Sequence, residues 1–268
     1  AVDTANGACS ELASEVYRNL GIEANIINNN PDGLNINKQC GSTHLDSLKK
    51  LVKENKLDIG IAFDGDADRI LAVDSLGEEV DGDLIMYICS KYLPSLSNNK
   101  TVVATVMSNL GFEKAIKDCG INFVRAQVGD RYVSKEIINT GAKLGGEQSG
   151  HLIFPEINST GDGLLSSLML LESIQRSKKS LKELKDELKL YPQILINVGV
   201  KDKLTYHNNQ KIQETIAKVT NELGNNGRVL VRPSGTESKI RVMIEGKNKE
   251  SIEKYAHEIA NIIKLELN

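Results

Sequence analysis

The sequence predicts two consecutive α/β domains with mainly parallel, mixed sheets, followed by a small α+β C-terminal domain, dividing at 1–80, 81–192 and 193–268. Three observations predict this. Short apolar runs at 24–27, 59–63, 101–106 and 121–126 alternate with helical stretches, and strand–helix alternation builds an α/β layer. From residue 194 the pattern changes: strands at 228–231 and 239–245 meet through a short turn between helices 209–223 and 249–267, an α+β arrangement. A length of 268 residues accommodates two or three such domains.

Taken in order, the chain opens with a strand end and turn, Asp3 to Gly7. Leu12, Val16 and Leu20 recur every four residues, a helix face stopped by Gly21. Residues 24–27 form a short strand, and 28–41 are polar and turn-rich around Pro31, Asp32 and Gly33. Ser42 or Thr43 then caps a helix whose apolar face is Leu45, Leu48, Leu51 and Val52. Strands at 59–63 and 69–74 follow, with a turn at 75–77. The second unit holds a helix at 84–93 stopped by Pro94, a strand at 101–106, a helix at 111–119 and a strand at 121–126. Gly129 to Tyr132 opens a helix at 133–139, and short strands at 143–146 and 152–154 flank a loop at 147–151. A long apolar helix spans 163–177, and a Lys/Glu-rich helix at 181–190 connects to the last unit, which begins with a strand at 194–200.

Lys plus Arg number 33 against 36 Asp plus Glu, a near-neutral balance that argues against a nucleic-acid or membrane-surface role. No apolar run approaches the ~20 residues of a membrane span, and no signal peptide is apparent at Ala1. Cys9, Cys40, Cys89 and Cys119 show no C-x-x-C spacing, as expected of reduced thiols in a cytoplasmic protein.

The stretch Ile59 to Arg69 carries the strongest chemistry. An apolar strand ends in Asp64, Asp66 and Asp68, separated only by Gly65 and Ala67. Three carboxylates this close repel one another and stay ionised together only around a cation. Oxygen donors without His or Cys fit Mg²⁺ better than Zn²⁺. Arg69 follows at once, and its fork suits a phosphate oxygen. Metal ligands and an Arg at a strand's C-terminal end form a phosphoryl-transfer layout. A plain acidic turn is the simplest rival. An EF-hand requires Gly and Glu where the sequence has Arg69 and Ser75. A phosphatase of the haloacid-dehalogenase type shares the strand ending in D-x-D, but not the third Asp and the Arg.

Three further loops are weaker signals. Glu147, Ser149 and His151 place an acceptor, a hydroxyl and an imidazole together. They fit sugar hydroxyls and a proton shuttle; taken alone, a polar surface turn is the simpler reading. Arg131 lies near a helix start, where anions are favoured; a surface Arg beside a capping Asp explains it too. Arg232, Ser234, Gly235 and Thr236, with Arg241 on the returning strand, combine guanidinium forks, hydroxyls and a Gly turn suited to a phosphate. A plain Pro-Ser-Gly hairpin is the alternative.

Together these segments resemble the α-D-phosphohexomutases, over essentially all 268 residues. DGDADR (64–69) is similar to the family's metal loop, with Ala67 where Gly is usual; GEQSGH resembles its sugar loop, RPSGTES its phosphate loop, and VGDRY the loop whose basic residue faces the reacting phosphate. The resemblance implies Asp64, Asp66 and Asp68 as Mg²⁺ ligands beside Arg69, and Glu147 and Ser149 as sugar-hydroxyl partners. It implies acid–base assistance from His151, Arg131 at the reacting phosphate, and phosphate anchoring by Arg232, Ser234, Gly235, Thr236 and Arg241. The stretches PDGLNIN, CGSTH, MSNLGF and PQILINV favour the family's glucosamine branch over its mannose or glucose branches. That branch implies interconversion of glucosamine 6-phosphate and glucosamine 1-phosphate through a phosphoserine, with a hexose 1,6-bisphosphate as primer and intermediate.

One departure is large. Family members have four domains, and the first carries the phosphorylated serine in a Ser-His-Asn loop. None of His44, His151, His207 and His257 lies in such a loop: His207 precedes Asn208 but follows Tyr206. The chain therefore resembles domains two to four, and the absent N-terminal phosphoserine domain becomes its implied partner. Alone it is expected to bind sugar phosphate without turning it over. Another hexose phosphate as substrate, a Mg²⁺-dependent phosphatase and a non-catalytic sugar-phosphate-binding fragment remain open.

Overall fold

The computed structural model describes residues 1–96, 99–235 and 237–268, which pack as two compact units. The first comprises residues 1–108 and 112–189, the second 109–111 and 190–268.

The first unit holds two sheets. In the first, β1 (Val2–Asp3) lies between and parallel to β2 (Ile26–Ile27) and β3 (Ile59–Phe63). β4 (Ile70–Asp74) and β5 (Glu79–Val80) then add antiparallel, giving the order β2-β1-β3-β4-β5. The reversal at β4 has a simple cause: the 64–69 link is far too short for the crossover that a parallel strand needs. β3 is central, which is why its sequence is a continuous apolar run instead of an alternation.

α1 (Leu12–Asn19) buries Ala13 and Tyr17, whereas Leu12 and Leu20 are 51% and 58% exposed. The expected face of Leu12, Val16 and Leu20 is therefore rotated by one residue. Tyr17 wins the interior because its ring is large and its hydroxyl finds Ser167 at 2.7 Å. α2 (Asp46–Glu54) packs Leu48 and Val52 against Ala62, Leu71 and Val73, as its periodicity predicts. Neither Ser42 nor Thr43 caps it: Gly41–Thr43 form a 3₁₀ turn, and the cap position is Leu45, with no side-chain hydrogen bond.

The second sheet is built on β6 (Thr101–Thr105), parallel to β7 (Asn122–Ala126) and to β8 (Leu144–Gly146). β9 (Leu152–Ile153) returns antiparallel to β8 across the 147–151 loop. α3 (Gly82–Tyr92) and α6 (Gly163–Ser177) pack on each other; α6 also meets β3, β4 and β9, and α3 meets β8. Their N-caps, Asp81 and Asp162, accept from Leu84 N (3.1 Å) and Leu165 N (2.9 Å), each contribution about 1 kcal/mol. α4 (Leu110–Asp118), α5 (Asp130–Thr140) and the short α7 (Leu181–Asp186) complete these segments. α5 packs Val133 and Ile137 against Val103, Ala126 and Ile153.

The second unit is one antiparallel sheet, β10 (Gln193–Gly199), β11 (Gly227–Pro233) and β12 (Lys239–Gly246), in the order β10-β12-β11. α8 (Gln210–Leu223) and α9 (Lys249–Leu267) cover one face. Ile240, Val242 and Ile244 alternate inward against Ile212, Val219, Ile252 and Ile259. Arg241 therefore points to the opposite face. Among the described residues, no helix is long and apolar enough to cross a membrane.

Candidate metal and phosphosugar site

The three aspartates of the 64–69 loop come together as the sequence predicts. Each of Asp64, Asp66 and Asp68 offers an oxygen within 4.8 Å of the others, from a buried, an exposed and an intermediate position respectively. The loop turns tightly because Ala67 takes a left-handed φ of 61° and its N–H donates to Asp64 O (3.1 Å). The Arg69 N–H donates to Asp64 Oδ1 (3.1 Å). The Arg69 Nε lies 3.8 Å from Asp64 Oδ2 and 3.7 Å from Asp68 Oδ1. Burial, opposed by the Arg69 hydrogen bond and reinforced by the Asp68 and Asp66 charges, pushes the Asp64 carboxyl up to about 6. Asp68 Oδ1 is buried with no hydrogen-bond donor. An oxygen-only cluster with an unserved buried carboxylate oxygen fits a hard divalent cation such as Mg²⁺.

Backbone contacts hold this loop from several sides. Gly65 O accepts from Ala8 N (2.8 Å), and a Cβ on Gly7 would stand 2.2 Å from that oxygen, so only glycine permits the approach. The 4–8 turn is in turn anchored by Asp3, whose carboxylate accepts from Ala5 N (2.9 Å), Gly41 N (3.0 Å) and Asn28 Nδ2 (2.9 Å). On the other side, Gly163 N, at the start of α6, donates to Ala67 O (2.8 Å). Sequence reasoning passed over Asp3 and Gly7. The only hint was the Ala5-Asn6-Gly7 turn, whose left-handed Ala5 (φ 56°) and Asn6 (φ 48°) are visible only in three dimensions.

The 147–151 loop is stitched directly to the metal loop. Arg69 and His151 form an antiparallel bridge, and Ile70 N donates to Gly150 O (3.0 Å). Gly82 N donates to Gln148 O (3.0 Å), and Gln148 Nε2 to the α3 cap Asp81 (3.1 Å). Ser149 is exposed, and its hydroxyl donates to Glu147 Oε2 (3.3 Å). Glu147 Oε1 accepts from Gly129 N (2.9 Å), at the start of α5. The Glu147 carboxylate thus holds the segment that carries Arg131. Arg131 is exposed, with its guanidinium over the Tyr132 ring at 4.5 Å. His151 is 5% exposed, and its Nδ1 lies 3.1 Å from Asp68 Oδ2.

The second unit gathers its own cluster. Arg232 and Arg241 are directly opposite in the β11/β12 register. Burial and then the Arg241 charge pull Arg232 below its ordinary value. Like charges facing each other across a ladder are destabilising, and Arg241 Nε is a buried donor without an acceptor; an anion answers both. Ser234 is buried, its N–H donating to Lys239 O (2.8 Å) and its Oγ accepting from Glu237 N (3.3 Å). Gly235 is exposed, and Thr236 lies outside the described residues. Lys203, which the sequence did not single out, donates to Ser234 O (2.6 Å) and Glu237 O (3.0 Å), bracing the turn.

One unit thus joins an oxygen-donor cluster suited to a divalent cation to a hydroxyl-bearing loop, and the other carries a paired-arginine turn suited to an anion. Three family descriptions match: "Phosphoglucomutase/phosphomannomutase, alpha/beta/alpha domain II" over residues 1–77, the corresponding domain III over 81–191, and the C-terminal domain over 195–262. The chain belongs to this phosphohexomutase family.

Within the family, relatives about half identical to it carry the name phosphoglucosamine mutase. It is 50% identical to the phosphoglucosamine mutase of Ligilactobacillus salivarius over 269 aligned residues, covering 100% of this chain and 60% of that protein. It is 49% identical to the Bacillus subtilis phosphoglucosamine mutase, again covering 100% of this chain and 60% of the relative. The chain thus spans about 60% of the length of the curated relatives it matches. A crystal structure of N-acetylglucosamine-phosphate mutase in its product complex shares the fold, with TM-score 0.80 and 22% identity over 98% of this chain and 61% of the other. The Aspergillus fumigatus N-acetylphosphoglucosamine mutase, solved with GlcNAc-6P and magnesium, gives 0.79 and 22% over 98% and 60%.

Proposed function

We propose that this chain forms the metal-, sugar- and phosphate-binding part of a phosphoglucosamine mutase, which interconverts glucosamine 6-phosphate and glucosamine 1-phosphate. The observation that carries the reading is the Asp64–Asp66–Asp68 cluster joined by backbone hydrogen bonds to the Glu147 loop. The shared name of relatives about 50% identical supports the amino-sugar substrate. The working segments are 1–80 for the metal, 81–192 for the sugar and 193–268 for the phosphate.

Asp64, Asp66 and Asp68 would hold Mg²⁺, which when bound neutralises charge on a migrating phosphoryl group. Arg69, 3.8 Å or less from two of these carboxylates, is placed to exchange them for a phosphate oxygen. Glu147 accepts sugar hydroxyls and Ser149 orients it. Arg131, exposed at the start of α5, turns to the reacting phosphate. Arg232 and Arg241, with the backbone and hydroxyls of Ser234, Gly235 and Thr236, grip the phosphate that does not react. The reaction further requires a phosphoserine, supplied by a domain outside this chain, and a hexose 1,6-bisphosphate to prime it; a cytoplasmic setting follows from these metabolites.

The test is to assay the chain with Mg²⁺, glucosamine 6-phosphate and glucose 1,6-bisphosphate, alone and joined to the N-terminal domain of a relative. Activity only in the joined protein is expected. Turnover by the chain alone, or net release of inorganic phosphate, overturns the reading. The family description also names phosphoglucomutase and phosphomannomutase, so mannose and glucose phosphates belong in the same assay, with glucosamine expected to be preferred.

A further inference from the structure

We propose that Lys203 is a positioning residue for the phosphate turn: by gathering the carbonyls of Ser234, Gly235 and Glu237 on one side, it turns the Gly235 N–H outward to receive the phosphate that does not react. The inference rests on the reading of Arg232, Ser234, Gly235, Thr236 and Arg241 as a phosphate grip and gives that grip a further member.

Lys203 stands on the link between β10 and α8, and local bonds bring it to the turn. Val200 N donates to Ser238 O (3.1 Å), which carries the β10/β12 pairing past Gly199 and Lys239 to the edge of the turn. Asp202 Oδ1 accepts from Leu204 N (2.8 Å), an Asx turn that bends the link at Lys203. The half-buried Lys203 side chain then reaches across. Its Nζ donates to Ser234 O (2.6 Å) and Glu237 O (3.0 Å), with Gly235 O further off at 3.4 Å. An ammonium has three donors and no acceptor, so these carbonyls occupy it. Lys203 therefore acts through the turn and does not itself touch the phosphate. The Glu237 carboxylate goes to Lys239 Nζ (2.6 Å), so what Lys203 holds of this residue is its backbone.

The consequence follows from peptide geometry. In a planar trans peptide the C=O and the next N–H point in opposite directions. With Ser234 O drawn to Lys203, the Gly235 N–H faces away from the ammonium. Gly235 stands in the open: it is exposed, and nothing lies within 4 Å of where its Cβ would be. N–H groups turned out of a tight turn form an anion-binding concavity, and Arg232 and Arg241 lie on the strands that enter and leave this one. Ser234 is fixed on its other side, since its N–H donates to Lys239 O (2.8 Å) and its Oγ accepts from Glu237 N (3.3 Å). Without the ammonium, carbonyl dipoles of one sign would converge unserved. Rotation of the Ser234–Gly235 peptide relieves them and swings the N–H in from the open side.

The experiment measures binding of glucosamine 6-phosphate and of inorganic phosphate by calorimetry, with folding checked by circular dichroism. The proteins are the wild-type chain, Lys203→Met and, as control, Arg232→Ala. Lys203→Met is expected to weaken glucosamine 6-phosphate about 10–100-fold, the scale of one hydrogen bond to a charged group. With isotope-labelled glycine, the Gly235 amide resonance should shift on addition of inorganic phosphate in the wild-type chain and stay in place in Lys203→Met; a loss of stability alone would not abolish that shift. Charge is separated from hydrogen bonding by Lys203→Cys in a Cys119→Ser background, Cys119 being the exposed native thiol. Alkylation with bromoethylamine rebuilds an ammonium of lysine length, and alkylation with bromoethyl-trimethylammonium rebuilds the charge without donors. The first should restore binding and the second should not. Restoration by both, or by neither, overturns the positioning role, as does a Gly235 amide that ignores phosphate in the wild-type chain. If Arg232→Ala weakens the ligand while Lys203→Met binds as wild type, Lys203 is no part of the grip and the phosphate reading stands. If Arg232→Ala also binds as wild type, the phosphate reading itself fails and takes this inference with it.

Discussion

Gly150→Ala tests the clasp between the metal and sugar loops. Gly150 has φ +91°, and a Cβ built there would stand 1.9 Å from Ile70 O and 3.1 Å from Ile70 N. Holding alanine in that backbone region costs about 1–3 kcal/mol. The steric conflict is with backbone, so it cannot be relieved by a side-chain rotation; the loop and β4 must part by about 1.5 Å to reach ordinary contact. That displacement removes the Ile70 N to Gly150 O bond (3.0 Å) and strains the Gly150 N to Glu147 O bond (3.0 Å), each about 0.5–1.5 kcal/mol. The expected loss is about 3–5 kcal/mol for the first unit, read as a lowered urea midpoint by circular dichroism. Gly199→Ala is the matched control: nothing lies within 4 Å of its Cβ position, and the change should stay within about 0.5 kcal/mol. Gly150→Ala should also weaken Mg²⁺, because Arg69 and His151 are bridged beside it. A loss below about 1 kcal/mol, against the strain such a conformation carries, would refute the argument that this close approach holds the two loops together.

Other outcomes are equally open to measurement. Asp66→Asn should clearly weaken Mg²⁺ in a calorimetric titration, since Asp66 is the exposed member of the cluster; unchanged affinity would remove it from the ligand set. Arg232→Ala should cost about 1.5–3 kcal/mol of sugar-phosphate affinity, the range for charged hydrogen bonds, and wild-type binding would contradict phosphate anchoring. Ala67→Gly should stabilise the chain by up to about 1 kcal/mol, because relief of left-handed strain exceeds the added unfolded-state entropy; thermal unfolding decides. Of the four cysteines, only Cys119 is exposed. Burial, reinforced by Asp162, holds the Cys9 thiol up at about 11, so it stays protonated and inert at pH 8. A thiol-specific dye should therefore find one fast-reacting thiol in the native chain and four after unfolding.

The fold and the metal loop were legible in the sequence because both depend on local pattern. Ile59 to Phe63 is a strand whatever surrounds it, and aspartates at alternate positions after its end have nowhere to go but one tight turn. Ile240, Val242 and Ile244 likewise announce a sheet with one covered face. Local pattern misled where two faces competed for burial. Leu12, Val16 and Leu20 make the more regular stripe, yet α1 buries Tyr17, since a partner for its hydroxyl lies 150 residues away at Ser167. Ser42 and Thr43 have the chemistry of a cap, but the chain spends them in a 3₁₀ turn whose first residue, Gly41, is held by Asp3. The site follows the same division. Which residues carry oxygen, hydroxyl or guanidinium groups is written in the sequence. That Glu147 holds the Arg131 segment, that Arg232 faces Arg241, and that His151 reaches back 83 residues to Asp68 were decided by tertiary structure. These contacts join residues far apart in the chain, and only the packing of sheets and helices sets the distance between them.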